Sequence, residues 1–83
     1  MMIIYGSAQC PDTQACLKAF AEKSIEHEFR DMAELPALKE FLNIRDREPL
    51  FDEVKKAGGV GIPLIRKEDG TCTLDWESAA AQS

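Results

Sequence analysis

Short apolar runs alternate along this chain with stretches where apolar residues recur every three or four positions. Met2-Ile3-Ile4-Tyr5 is a short run ended by Gly6, and its length and branched residues predict a buried strand. Ser7-Ala8-Gln9 is a loop. Pro11 suits the first position of a helix, where its missing N–H costs nothing. Cys16, Ala19 and Phe20 then follow at helical spacing, which predicts a helix to about Lys23 with those three on its core face. Glu26 to Arg30 alternates, with Ile25, His27 and Phe29 on one side, and reads as a strand with one wetter face. Asp31 and Glu34 have capping-box spacing ahead of a second helix whose stripe is Leu35, Leu38, Phe41 and Leu42.

The second half is built from shorter pieces. Asn43 to Glu48 is polar and reads as a loop. Pro49 can open a third helix with Leu50, Phe51, Val54 and Ala57 as its stripe, stopped by Gly58-Gly59. Ile62-Pro63-Leu64-Ile65 reads as a strand entered at a proline, one of the few places where sheets tolerate it. Asp69-Gly70 marks a hairpin turn, and Thr71 to Leu74 is the returning strand. Asp75 can cap a last short helix holding Trp76, Ala79 and Ala80. The alternating first half implies a parallel strand pair and the second half an antiparallel hairpin. The expected fold class is α/β: a four-stranded mixed sheet of order 2-1-3-4 flanked by helices on both faces.

The chain has 83 residues, enough for a single domain, 1–83. A domain of this size buries only about 60% of the surface that its unfolded chain exposes. Apolar residues make up 45% and charged residues 30%, the balance of an ordinary globular protein. The net charge is −5, with 10 basic residues scattered among 15 acidic ones. Binding to nucleic acid or to anionic membranes needs clustered Lys and Arg, so neither is expected as a partner. The apolar start is broken at Gly6, too early for a signal peptide, and no run approaches a membrane span. The expected location is the cytoplasm, and the expected state a monomer.

Three cysteines, an odd number, do not make a structural disulfide framework. In a reducing compartment a cysteine is buried, metal-binding or reactive. Cys10 stands where a strand has ended and a helix begins. The first N–H groups of a helix lack intrahelical partners, and its dipole adds about half a positive charge there. Both favour a thiolate, the attacking species in thiol–disulfide exchange. Asp12 opposes it, and no Lys or Arg lies within seven residues. Thr13, three positions along the helix, is a neighbour able to hydrogen-bond the sulfur. Cys16 shares the helix's core stripe, and its Cα lies about 10 Å from that of Cys10, beyond the roughly 7 Å limit for a disulfide. It reads as a packing residue. Cys72 lies mid-strand and reads as inert or as an incidental surface thiol. His27 reads as a packed strand residue. No Cys or His pair has zinc spacing, so no metal ligand is assigned.

Cys10-Pro11-Asp12-Thr13 after a strand, with Gly61-Ile62-Pro63 opening a later one, resembles the glutaredoxin family from about Ile3 to Asp75. The resemblance implies a thioredoxin-like fold and a cis bond before Pro63 in a loop facing Cys10. It implies catalytic Cys10, Pro11 and Thr13, and glutathione contacts at Ile62 and Pro63. Asp75 is the candidate for the glutathione ammonium group. The chain departs from the family at three places. Thr13 replaces the resolving thiol, Thr73-Leu74 stands where Gly-Gly is usual, and Ser7-Ala8-Gln9 supplies no basic residue. The implied function is a one-cysteine thiol–disulfide oxidoreductase. Its partners would be glutathione, as co-substrate, and disulfide-containing proteins or small molecules, with no cofactor bound permanently. The alternatives are a non-enzymatic module binding an iron–sulfur cluster or glutathione, and a redox-silent scaffold.

Overall fold

The computed structural model describes residues 1–82. Strand β1 spans Met2–Gly6, helix α1 Pro11–Glu22, strand β2 His27–Asp31 and helix α2 Leu35–Arg47. A single 3-10 turn, Pro49–Phe51, leads into helix α3, Asp52–Lys56. Strands β3 (Leu64–Arg66) and β4 (Cys72–Thr73) and helix α4 (Trp76–Ala81) complete the chain. The sheet has the order β2-β1-β3-β4, with β1 parallel to β2 and antiparallel to β3, and β3 antiparallel to β4. The expected α/β class, mixed sheet and strand order are therefore present.

The two faces of β1 define two cores, because successive strand side chains point to opposite faces. Ile4 and its cross-strand partner Ile65 meet Cys16 and Phe20 of α1 and Ala79 and Ala80 of α4. Tyr5 and its partner Leu64 face the other way and meet Phe41 and Ile44 of α2 and Phe51. Phe41 stands edge-on to Phe51, with ring centroids 5.8 Å apart. The Tyr5 hydroxyl leaves this apolar layer by donating to Glu40, which also accepts from Arg30 at 2.7 Å. Arg30 bonds Glu28 as well, so one small polar network ties β1, β2 and α2 together. His27 packs edge-on against Phe20 and bonds the Ile25 carbonyl. Trp76 packs on the first core from the start of α4.

Several expectations about α2 are overturned. The helix runs through Asn43 to Arg47, the stretch read as a loop. Its buried stripe is Ala37, Phe41 and Ile44, whereas Leu35 and Leu42 are 59% and 42% exposed. The capping box does not form either. Asp31 ends β2 and accepts the Ala33 N–H in a tight turn, and Glu34 is the N-cap, with Pro36 in the first turn. Packing of Phe41 and Ile44 against Tyr5, Phe51 and Leu64 turns the helix so that Ile44, not Leu35 or Leu42, faces the sheet.

Pro49 opens a 3-10 turn, and only Phe51 of the expected third stripe is fully buried, with Val54 half-buried. Gly58, at φ +78°, stops α3 as expected. The Gly59 and Gly58 N–H groups bond the carbonyls of Val54 and Lys55, the double closure that satisfies helix-end acceptors. Pro63 is buried ahead of β3, which begins one residue later. Gly70, at φ +90°, makes the hairpin turn, and both the N–H and the hydroxyl of Thr71 donate to Asp69. Those bonds hold the Asp69 carboxyl below its usual range.

Truncation separates the two sides of α2. Phe41→Ala should lower the unfolding free energy by about 3–5 kcal/mol. Leu42→Ala should lower it by less than ~1 kcal/mol, since that side chain is largely solvated. Urea denaturation followed by circular dichroism measures both, and equal losses would contradict this orientation.

Candidate functional site

The strand directions bring four chain segments to one end of the sheet. Parallel β1 and β2 end there, at Gly6 and Asp31. Antiparallel β3 starts there, just after Pro63, and β4 returns there at Thr73, ahead of Asp75. Residues 7–10, the turn after Asp31, Ile62-Pro63 and Asp75 therefore share that end. The Ile62–Pro63 bond is cis. Leu64, next to Pro63, pairs with Tyr5, so Pro63 enters the sheet beside the segment that leads to Cys10.

Cys10 is the N-cap of α1, in extended conformation at φ −86°, with Pro11 starting the helix. Its carbonyl accepts the Gln14 N–H, the first helical bond, at 2.9 Å. The thiol makes no close capping hydrogen bond of its own. It nevertheless lies among donors, and its pKa is lowered first by the Thr13 N–H, next by the Thr13 hydroxyl, and also by the Asp12 N–H. Partial burial and the Asp12 carboxylate work against this. The depression therefore comes from the helix start and from Thr13, with no cation contributing.

Thr13 is completely buried and is the one fully buried polar residue among those described. Its hydroxyl oxygen accepts the Ser7 N–H at 3.4 Å, which leaves the hydroxyl proton to the sulfur. Gly6 makes this possible. A Cβ there would lie 2.5 Å from Thr13 Oγ1 and 2.7 Å from its methyl carbon, closer than atoms can approach. Gly6 thus belongs to the site although the sequence reading took it only as a strand end. Its place at the junction of strand and cysteine loop was the available signal.

The other expected residues are distributed as follows. Pro11 is exposed at the first turn of α1. Ile62 is half-buried against the second core, and Pro63 is buried. The exposed Asp75 side chain caps α4 by accepting the Ser78 N–H at 3.1 Å, so one of its oxygens already has a structural task. An open groove of about 280 Å³ beside the cysteine loop is lined by Ser7, Ala8, Gln9, Asp31, Met32 and Ala33. All three cysteines are free thiols. Cys16 is fully buried in the first core, and burial pushes its thiol up to about 11. Cys72 is half-buried in β4, and burial followed by the Glu48 charge raises its pKa. Among the described residues there is no group of three or more His, Cys, Asp or Glu side chains able to hold a metal ion. No helix among them is long and apolar enough to cross a membrane.

Fold and site together define a small α/β protein with a half-buried thiol of lowered pKa at a helix N-terminus. It belongs to one family with an uncharacterised protein of Haemophilus influenzae, to which it is 32% identical over 74 residues, spanning 88% of this chain and 86% of that protein. No family model and no solved structure matches the chain.

The thiols should separate under alkylation at neutral pH. Cys10 should react first and Cys16 last, as mapped by peptide mass. Thr13→Val removes the hydroxyl donor and should shift the pH profile of Cys10 alkylation upward. The two pKa shifts also have opposite effects on stability. The depressed Cys10 adds stability above the unfolded value of about 8.5, and this is lost as pH falls through its folded pKa. Cys16 contributes fully below about 8.5, and its contribution is lost as pH rises toward about 11. Denaturation between those pH values should therefore show a shallower alkaline decline for Cys16→Ala than for the parent.

Proposed function

We propose that this chain adopts a thioredoxin-like fold and acts as a glutaredoxin-like thiol–disulfide oxidoreductase with Cys10 as its single nucleophile. The observation that carries the reading is the Cys10 thiol at the start of α1, its pKa lowered by the N–H and hydroxyl of Thr13. The strand order and the position of Ile62-Pro63 at the same sheet end as Cys10 support it. Glutathione is the proposed co-substrate, with a disulfide-containing protein or small molecule as the other partner and the cytoplasm as the site of action.

The reaction has two exchanges. The Cys10 thiolate attacks the glutathione sulfur of a mixed disulfide. A Cys10–glutathione disulfide forms, the substrate's S–S bond breaks, and the substrate sulfur leaves as a thiolate that takes a proton from water. A second glutathione thiolate then attacks the glutathione sulfur of this adduct. Oxidised glutathione departs, and Cys10 is regenerated as thiolate. The net exchange converts the mixed disulfide and one glutathione thiol into the substrate thiol and oxidised glutathione. Thr13 holds the Cys10 thiolate in both steps. The backbone of Ile62 offers a strand-like edge on which the substrate can lie, and the exposed Asp75 carboxylate can meet the glutathione ammonium.

Thr13 cannot replace a resolving thiol, so turnover should require added glutathione. Cys10→Ser should bring reduction of a glutathionylated peptide to background, because an alcohol is a far weaker nucleophile at neutral pH. Cys16→Ala and Cys72→Ala should keep most of it. Thr13→Cys should form an internal disulfide with Cys10, since helix positions three apart are about 5 Å from each other. A parent protein that reduces no glutathionylated peptide at any glutathione concentration would refute the oxidoreductase reading.

A further inference from the structure

Strand β2 forms an edge of the sheet, and among the described residues it pairs with β1 alone. Main-chain groups alternate along a strand, so residues two apart turn their N–H and C=O to the same side. The Met32 N–H donates to the Gly6 carbonyl at 2.8 Å. Glu28 and Arg30 therefore face β1 with their main-chain groups, and His27, Phe29 and Asp31 turn theirs outward. The Asp31 carbonyl accepts the Glu34 N–H at 3.0 Å. The Asp31 N–H and the main-chain groups of His27 and Phe29 lie along the outer edge. The strand at the opposite edge, β4, has only 2 residues.

The side chains of this edge have an order that complements itself. From His27 to Asp31 they read His, Glu, Phe, Arg, Asp. A second copy laid antiparallel about a two-fold axis at Phe29 sets Phe29 opposite Phe29, Glu28 opposite Arg30 and His27 opposite Asp31. Phe29 of each copy then exchanges N–H and C=O bonds with the other, and each Asp31 N–H meets a His27 carbonyl. Glu28 and Arg30 form the non-hydrogen-bonded pairs, whose Cα atoms approach to about 4.5 Å. Both lie on the α2 face, where Arg30 bonds Glu28 and Glu40, and their side chains keep 42% and 34% of their surface free. Phe29 lies on the other face, half-buried against the first core. Because only the outward groups can bond the second copy, the pairing can slip only in steps that keep those groups opposed. The neighbouring registers set Glu28 opposite Glu28 or Arg30 opposite Arg30. Opposite charges directly across a strand pair favour it, and like charges oppose it.

We propose that β2 is a self-association surface, on which two copies of this chain pair antiparallel through residues 27–31 and join their sheets into one. The partner is a second copy, in place of the monomer expected from the sequence. Charged side chains on an edge strand deter pairing with most other strands. Here the same charges admit one partner in one register. The pairing is independent of Cys10 and of the redox reading. A short strand pair buries less than the about 1,200 Å² of a standard stable complex, so the dimer exchanges with monomer and forms at about 100 μM and above.

Sedimentation equilibrium of the full chain under reducing conditions, which exclude disulfide-linked dimers, tests this between ~10 μM and ~1 mM. The mean mass should rise toward twice that of the monomer. Over the same range the amide NMR signals of Phe29 and Asp31 should shift and exchange more slowly with solvent. Those of Glu28 and Arg30, which bond β1 in either state, should change less. Glu28→Arg and Arg30→Glu each set like charges opposite one another in both cross-strand pairs, and each should weaken self-association about tenfold. An equimolar mixture of the two variants restores opposite charges across both pairs and should associate as the parent does. Circular dichroism checks that each variant is folded. A mass that stays at the monomer value at ~1 mM overturns the proposal. So does a concentration-dependent change that spares Phe29 and Asp31, or a mixture of folded variants that associates no better than either alone. If Arg30→Glu does not fold, the amide signals of the parent protein decide.

Discussion

Thr13 packs so tightly on Gly6 that a side chain at the end of β1 would collide with its hydroxyl and methyl groups. That contact fixes where α1 begins relative to the sheet. It also fixes the thiol, because Cys10 is the residue that caps the helix. The Thr13 hydroxyl accepts from Ser7 on one side and lies near the sulfur on the other. A buried hydroxyl left without partners would cost about 1–3 kcal/mol, so its two partners hold it in one orientation. The cysteine loop is thereby set by the same atoms that favour its thiolate.

The remaining architecture supplies a rigid frame for that contact. β1 is central, and its neighbouring residues Ile4 and Tyr5 serve opposite cores. β3 repeats the arrangement with Ile65 and Leu64. Each helix layer therefore packs against the same two strands. Cys16 and Phe20 hold α1 on one face, and the network of Tyr5, Glu40 and Arg30 joins α2 to the sheet on the other. Three thiols thus acquire three characters from burial and hydrogen bonding alone. Cys10 is lowered by donors, Cys16 is raised strongly in the core, and Cys72 is raised at the half-covered sheet edge.

The charge pattern belongs to a different level of organisation. Asp12, Asp31, Glu34, Asp75 and Glu77 are spread along the sequence, and each has a local reason to be where it is. Asp75 caps a helix, Asp31 closes a turn, and acidic residues favour the first turns of helices. The sheet topology then collects them at one end of the sheet.

By itself the sequence determined the type of most elements and the singular position of Cys10. These depend on local signals: apolar runs, Pro11 at a helix start, Gly58-Gly59 at a helix end and the Asp69-Gly70 turn. It also determined that Cys16 would pack, because helical spacing puts it beside Phe20. The sequence left open the rotation of α2. Leu35, Leu38, Phe41 and Leu42 made a plausible stripe, yet the helix starts after Glu34, extends to Arg47 and buries Ala37, Phe41 and Ile44. Only the fit against Tyr5 and Phe51 selects that face, since several apolar stripes on one helix differ little until a partner surface is present. The position of Gly6 marked the junction of strand and loop, but its contact with Thr13 was not legible, because a close approach exists only once strand and helix are packed together. Tertiary structure also decided that residues as distant as Asp12 and Asp75 share one end, for strand direction is a property of the whole sheet and not of any segment in it.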